Sequence, residues 1–127
     1  MTIKPINTDN APAAIGPYSQ AVIAGGMLYA SGQIPLVPAT GEIAGDDMAT
    51  QTRQVLDNLQ AVVEAADGTM ADIVKVTIYI TDMKQFGVVN EIYGTYFSAP
   101  FPARACVQVA ELPKGVDVEM DAIVQLN

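Results

Sequence analysis

The stretch FPARACVQV, Phe101 to Val109, combines a single charged residue with the only cysteine of the chain. Arg104 lies in a run that otherwise has the composition of a buried β-strand. Because side chains alternate along a strand, Arg104, Cys106 and Gln108 are expected to share one face. A guanidinium matches a carboxylate bidentately, so Arg104 suits either a carboxylate ligand or a structural ion pair. Spacing alone slightly favours the ion pair with one of the fourteen acidic residues.

The segment VDVEMDAIV carries three acids at alternate positions, Asp117, Glu119 and Asp121. On a strand they share one face, and the apolar residues between them share the other. Such a face is usually solvated. If another subunit covers it, a carboxylate there can orient water and act as a general base. Whether Glu119 and Arg104 share a face depends on the strand register, which the sequence leaves open.

Histidine is absent, which excludes the Ser-His and Cys-His nucleophilic systems and the commonest zinc sites. We therefore expect no metal centre. Cys106 is a candidate nucleophile if Arg104 lowers the pKa of its thiol. Without an imidazole base, a packed small residue is the better interpretation, with its backbone groups available to a ligand.

Two further stretches, GPYSQ and SGQIP, place hydroxyl and amide groups near strand ends. Tyr18 and Ser31 are candidate ligand contacts, and Gly32 would let a ligand approach the backbone closely. Ordinary turn chemistry explains both stretches equally well. Asn90, on a predicted helix, is as often a surface residue as a binding one.

The elements that would position these groups follow from hydrophobic periodicity and turn residues. The pattern predicts strands over 17–24 and 27–33 joined by Gly25-Gly26, followed by a helix that Asp46 or Asp47 caps and Asp67-Gly68 ends. A strand over 73–81 and a second helix over 83–97, capped by Asp82, come next. Two further strands are predicted over 103–110 and 116–126. This β-β-α-β-α-β-β order favours an α+β fold, a mixed sheet with both helices packed on one face, in a single domain spanning 1–127. Apolar residues on the uncovered face would then meet another chain.

Composition narrows the classes of partner. The net charge is −8, with six Lys and Arg against fourteen Asp and Glu, so a nucleic acid or an anionic membrane is not an expected partner. One cysteine forms no intrachain disulfide, and no signal peptide or membrane span is apparent. We expect a soluble cytoplasmic protein.

Four motifs together closely resemble the RidA family, also called YjgF/YER057c/UK114. They are APAAIGPYSQAV, SGQIPLVPATGEI, FPARACVQVAELPKG and VEMDAIV, and the resemblance runs from about Asn10 to Val124. It implies a chorismate-mutase-like fold of the bacillus type, and a homotrimer with ligand sites between subunits. It also implies an imine deaminase without a cofactor. Such an enzyme hydrolyses reactive 2-enamine or 2-imino acids, such as 2-iminobutanoate and 2-iminopropanoate, to 2-oxo acids and ammonia, a form of metabolite detoxification.

The resemblance also assigns roles to residues. Arg104 matches the arginine that grips the substrate carboxylate, and Glu119 matches the glutamate that holds or activates water. Cys106 matches a cysteine whose backbone lines the site. The remaining pocket positions are matched by Tyr18, Ser31, Gly32 and Asn90. Asp121 has no assigned role.

Two other functions stay open. Relatives in the family have been described as endoribonucleases or translation inhibitors, which the acidic charge and missing histidine disfavour. The other alternative is a non-enzymatic module that binds small metabolites or holds unfolded chains.

Overall fold

The computed structural model describes residues 2–127, in which six strands and two α-helices form one α+β unit. In chain order these are β1 (Lys4–Ile6), β2 (Ala21–Ala24), β3 (Met27–Gln33), α1 (Met48–Ala65), β4 (Ile73–Ile80), α2 (Phe86–Tyr96), β5 (Ala103–Gln108) and β6 (Val118–Gln125). Short 3-10 turns lie at Met70–Asp72, Met83–Gln85 and Pro113–Gly115. The predicted β-β-α-β-α-β-β order is confirmed, and the three-residue β1 is an addition that the sequence pattern missed.

The strands form one mixed sheet in the order β1-β2-β3-β6-β4-β5. All neighbouring strands are antiparallel except β4 and β5, which are parallel. A parallel pair needs a crossover connection, and α2 lies between these two strands in the chain. This topology places β5, with Arg104, at one edge of the sheet.

One face of the sheet carries the hydrophobic core. Helix α1 contacts β3, β6 and α2, and its apolar stripe is fully buried. The fully buried residues of that stripe are Val55, Leu56, Leu59, Val62 and Val63. Alternate residues of β4 and β6 complete the core from the sheet side, including Val76, Ile78, Ile80, Val118, Met120 and Val124. Alternation along these strands therefore determines which side chains face the helices.

Helix ends agree with the predicted caps, with two adjustments. Asp47, rather than Asp46, caps α1 by accepting a hydrogen bond from Thr50 N at 2.9 Å. Asp82 caps the 3-10 turn that precedes α2, so the α-helix itself begins at Phe86. Neither glycine of α2 is required for close packing, since a Cβ added at Gly87 or Gly94 would meet nothing within 4 Å.

The second face of the sheet carries no helix in the described part of the chain. Tyr29 and Val107 are 46% and 43% exposed there, and the side chains of Tyr79, Asp121 and Ile123 are half-buried. We call this surface the open face. Across residues 2–127, the helices are all too short or too polar to cross a membrane.

Candidate active site

Arg104 lies on the helix-bearing face of the sheet, at its edge. Strand β5 pairs with β4 so that Arg104 stands beside Val76 and Cys106 beside Ile78. Val76 and Ile78 are completely buried in the core, so Arg104 and Cys106 point to the same side as the helices. The predicted shared face of Arg104 and Cys106 is confirmed.

Neutral and aromatic groups hold the Arg104 guanidinium. Its Nη1 donates a hydrogen bond to Asn90 Oδ1 at 2.7 Å, and its Cζ lies 4.9 Å from the Tyr93 ring centroid and 5.2 Å from that of Phe86. Both distances are typical of cation–π contacts. Since these partners carry no charge, the expected intrachain ion pair is not formed, and the exposed cation is left without a carboxylate partner among residues 2–127.

A cleft of about 460 Å³ surrounds this guanidinium, and we call it the arginine cleft. It is lined by Asn90, Tyr93, Gly94, Phe101, Pro102 and Arg104. Phe101 is 61% exposed at its rim. Asn90 is thus placed with Arg104, as predicted, and Tyr93 and Phe101 are additional lining residues that the sequence analysis did not select.

Glu119 lies on the open face. It stands opposite Tyr79 in the β4–β6 register, while its neighbours Val118 and Met120 point into the core. Its side chain is half-buried. Burial raises the pKa of the Glu119 carboxyl, and the negative charge of Asp121 raises it further. A carboxyl with a raised pKa is suited to exchange protons nearer neutral pH.

A β-bulge brings Gly32 against Glu119. Strand β3 pairs Ala30 with Ala122 and then Gln33 with Met120, so Ser31 and Gly32 together face a single residue of β6. Such bulges re-aim side chains and often lie next to active sites. A Cβ added at Gly32 would lie 2.9 Å from Glu119 Cδ, too close for two carbon atoms. The position therefore requires glycine while Glu119 keeps this orientation.

Around Glu119 lies a cleft of about 550 Å³, the glutamate cleft. It is lined by Pro12, Ala13, Ile15, Tyr18, Gln20, Ser31, Gly32, Gln33, Ile34, Leu36, Pro113, Lys114 and Glu119. The predicted residues Tyr18, Ser31 and Gly32 are therefore gathered here with Glu119. Sequence reasoning missed Lys114, whose φ of +60° in the LPKG turn is unusual for a residue other than glycine.

Buried amides fix the walls of the glutamate cleft. Gln20, 2% exposed, accepts from Thr8 N at 2.7 Å and donates to Pro12 O at 2.8 Å, which ties down the segment before Tyr18. Asn58, 1% exposed on α1, donates to Leu36 O at 2.9 Å and to the carbonyl of Ile34. Except for Ile34 O, which also accepts from Leu36 N, these bonds satisfy loop backbone groups that would otherwise be buried without partners.

The two clefts are on opposite faces of the sheet. Glu119 lies two strands away from Val107 at the same level of the sheet, and Val107 is three residues along β5 from Arg104. These offsets place the Cα atoms of Arg104 and Glu119 about 14 Å apart. Their side chains also point in opposite directions. The register left open by the sequence is therefore resolved: Arg104 and Glu119 of one chain do not share a face, and one small ligand cannot contact both.

Cys106 belongs to the core edge rather than to either cleft. Its side chain is half-buried and packs against the core. Burial raises the pKa of the Cys106 thiol, and the Arg104 charge opposes this shift without cancelling it. Since the thiolate is the nucleophilic form, this environment favours the interpretation of a packed small residue. No group of three or more His, Cys, Asp or Glu side chains capable of holding a metal occurs within 2–127.

Comparison with known proteins gives consistent matches over nearly the whole chain. Residues 8–126 match the family described as Endoribonuclease L-PSP. A protein of Escherichia coli K12 named 2-iminobutanoate/2-iminopropanoate deaminase is 53% identical over 123 residues, covering 94% of this chain and 95% of that protein. A RutC family protein of Pyrococcus horikoshii is 52% identical over 118 residues, covering 93% and 94%. The crystal structure of RidA from the Antarctic bacterium Psychrobacter sp. PAMC 21119 superimposes with a TM-score of 0.93 at 46% identity, covering 97% of this chain and 99% of that one.

Proposed function

The chain belongs to the RidA family, also described as Endoribonuclease L-PSP, and from that membership and the two clefts we propose that it is an imine deaminase. Its substrates would be reactive 2-imino acids and their enamine tautomers, such as 2-iminobutanoate and 2-iminopropanoate. The products are 2-oxo acids and ammonia. The mixed sheet with two helices on one face is the fold of that family.

The observation that carries this proposal is the state of Arg104. Its guanidinium is exposed in a cleft and is held in place by the Asn90 amide and two aromatic rings, with no carboxylate from the chain. A fixed guanidinium fork of this kind binds a carboxylate, the one charged group that every 2-imino acid carries. Each charge-assisted hydrogen bond contributes roughly 1.5–3 kcal/mol, which is enough to orient a small substrate.

Glu119 supplies the general base of the proposed reaction. Its carboxylate reaches into the glutamate cleft beside Gly32, where Ser31 and Tyr18 add hydroxyl groups. Because its pKa is raised by burial and by Asp121, it is a better proton acceptor than an ordinary exposed carboxylate. We assign to Glu119 the positioning and deprotonation of the attacking water.

Since one chain keeps Arg104 and Glu119 on opposite faces, a complete site requires two copies. We propose that Arg104 of one subunit and Glu119 of the next act on the same substrate, in a homotrimer with sites between subunits. The partly apolar open face supports this, because a monomer would leave Tyr29 and Val107 in water. The backbone of Cys106 and the amide of Asn90 would line the Arg104 side of that site.

The reaction then proceeds in two balanced steps. With the substrate carboxylate on Arg104, the oxygen of water attacks the C=N carbon of the protonated imine while one water proton passes to Glu119 and the C=N π electrons move to nitrogen, which gives a neutral carbinolamine. Glu119, Tyr18 or solvent then protonates the nitrogen, the C–N bond breaks to release ammonia, and the hydroxyl proton is lost to Glu119 or solvent as the C=O bond forms. Holding the reactants in place supplies most of the acceleration, and the reaction is already fast in water.

The place of this reaction in metabolism follows from its substrate. 2-Imino acids are released by dehydratases that act on threonine or serine, so we propose that this protein removes what such enzymes produce. We propose a cytoplasmic location, which the single cysteine of the chain supports.

A coupled assay tests the proposal. A threonine dehydratase generates the imine, semicarbazide traps it, and deaminase activity lowers the amount of trapped product. Wild-type protein should lower it, and Arg104→Ala should lose that effect. Arg53→Ala removes the only other arginine, which is exposed on α1, and should behave as wild type. If wild type and buffer give equal trapping, the deaminase proposal is wrong.

RNA cleavage is the competing function, since the matched family carries the name endoribonuclease. The net charge of −8 disfavours a phosphate backbone as substrate. RNA degradation that copurifies with the protein and disappears in Arg104→Ala would support this alternative instead.

A further inference from the structure

A hydrogen-bonded pair on the open face lies directly beside Glu119. Tyr79 Oη donates to Asp121 Oδ2 at 2.9 Å, from β4 to β6. Tyr79 is the residue opposite Glu119 in the register, and Asp121 is two positions further along the same strand as Glu119. The three side chains therefore form one contiguous group on the open face.

Tyr79 is the donor in this pair. The hydrogen bond to Asp121 is the main reason that the pKa of Tyr79 is raised, with burial and the Asp121 charge adding to it. Tyr79 therefore remains a phenol that donates its proton to Asp121 Oδ2. The phenol thus fixes the position of the Asp121 side chain.

Other charged groups around Glu119 are few. On the face that it shares, β4 adds Lys75, β3 adds Tyr29, and β5 contributes only Ala103, Ala105 and Val107. Asp117 immediately precedes β6. Loops around the glutamate cleft bring Lys114 and Tyr18. Of the acids on this face, only Asp121 raises the pKa of Glu119, and that contribution comes after burial.

We propose that Asp121, held by Tyr79, is a positioning residue for Glu119 in the deaminase reaction. Its fixed negative charge opposes the negative charge of Glu119 and is relieved when Glu119 takes the proton of the attacking water. The O–H bond of water breaks as its oxygen bonds to the imine carbon, and the same proton is then available to the departing nitrogen. This inference rests on the proposed function for its catalytic meaning, whereas the effect of Asp121 on Glu119 is a property of the protein alone.

A purely structural role is the alternative, since cross-strand pairs also stabilise sheets. The chain provides a matched comparison for this. Asp117 lies two residues from Glu119 on the other side and forms its own cross-strand contact, with Thr81 Oγ1 at 3.4 Å. Replacing either aspartate removes one negative charge at the same sequence separation from Glu119. Only the Asp121 replacement should lower the pKa of Glu119.

The primary experiment is a carbon-13 NMR titration of the full-length native assembly labelled in its glutamate carboxyl groups. Loss of a signal in Glu119→Gln assigns Glu119 among the five glutamates. Asp121→Asn should move the Glu119 titration midpoint to lower pH, and Asp117→Asn should leave it unchanged. Tyr79→Phe, which keeps the ring but frees the Asp121 carboxylate, should give a midpoint between wild type and Asp121→Asn.

The same variants are then assayed by imine trapping. Because a weaker base accepts the proton less readily, Asp121→Asn should lower kcat about 3- to 10-fold at neutral pH, with KM little changed. The acidic limb of its pH profile should move to lower pH. Asp117→Asn should retain wild-type kcat and the wild-type limb.

An unchanged Glu119 midpoint in Asp121→Asn, or an equal shift in Asp117→Asn, would overturn the inference. A wild-type protein without deaminase activity would instead contradict the proposed function, and the NMR titration would still decide whether Asp121 tunes Glu119. If Asp121→Asn does not fold, its NMR spectrum will show this. Tyr79→Phe, which removes a single hydroxyl group, then decides the inference through its effect on the Glu119 midpoint.

Discussion

At the residue scale, the two side chains that matter most are set in opposite environments. Arg104 keeps an exposed charge that neutral groups orient, and Glu119 keeps a half-buried carboxyl whose proton is held more tightly than usual. Functional groups are commonly tuned in this way, at a cost in stability. Alternation along a strand made Arg104 stand out among apolar neighbours, whereas it grouped Glu119 with Asp117 and Asp121, and only the family resemblance selected Glu119.

Glu119→Gln should stabilise the protein at neutral pH while abolishing its activity. A raised pKa means that the folded state binds the Glu119 proton more tightly than the unfolded state does. The carboxylate therefore costs stability as pH rises from its ordinary value of 4.5 through its folded-state pKa. The gain in the free energy of unfolding should be a fraction of a kcal/mol, because Glu119 is only half-buried.

Denaturant unfolding of wild type and Glu119→Gln at several pH values measures this difference. It should be largest near neutral pH and vanish at a pH below 4.5, where both side chains are neutral. Glu64→Gln, on the exposed surface of α1, serves as the control for replacing a glutamate by glutamine. A variant that is less stable than wild type at neutral pH would contradict this account of Glu119.

At the element scale, the sequence predicted the order of strands and helices, but not how the site is distributed over them. Periodicity located α1, α2 and the main strands to within a few residues, since local patterns determine those elements. The bulge at Ser31 and Gly32 and the register between β4 and β6 come from pairing of distant segments. For that reason the sequence could group Tyr18 with Gly32 only through family resemblance, and could not place Glu119 relative to Arg104.

The loops at the glutamate cleft are held by hydrogen bonds from buried amide side chains. Asn58→Ala should therefore lower the free energy of unfolding by more than the loss of a few side-chain atoms would. It removes the donor to Leu36 O and one of the two donors to Ile34 O, which keeps its bond from Leu36 N, and both carbonyls belong to the cleft wall. Leaving the buried Leu36 O unpaired should lower the free energy of unfolding by roughly 1–3 kcal/mol. Deaminase activity should fall at the same time because the wall is displaced.

Chemical denaturation together with the trapping assay measures both effects. Gln60→Ala is the matched control on α1, since its amide bonds only the exposed Glu64 carboxylate at 3.3 Å. That variant should change stability by less than about 0.5 kcal/mol. Equal costs for the two variants would show that the Asn58 bonds do not hold the loop.

At the scale of the whole molecule, the central feature is a site divided between two faces of one sheet. The single chain supplies an arginine cleft and a glutamate cleft on opposite faces, with the Arg104 and Glu119 Cα atoms about 14 Å apart, and in the proposed mechanism neither cleft completes the reaction alone. The open face, with Tyr29 and Val107 exposed, is the surface through which copies would associate. Function in this account is a property of the assembly, and the fold of one chain serves to present the two halves.

Mixing two inactive variants tests that claim most directly. Chains carrying Arg104→Ala are co-expressed with chains carrying Glu119→Gln, and mixed assemblies are isolated with two different tags. If each site takes its arginine from one chain and its glutamate from the next, every mixed trimer contains one intact site among its three, about a third of the sites. Imine trapping should then show roughly that fraction of wild-type activity in the mixed assembly and almost none in either variant alone. A mixed assembly that remains as inactive as its parents would contradict the shared site.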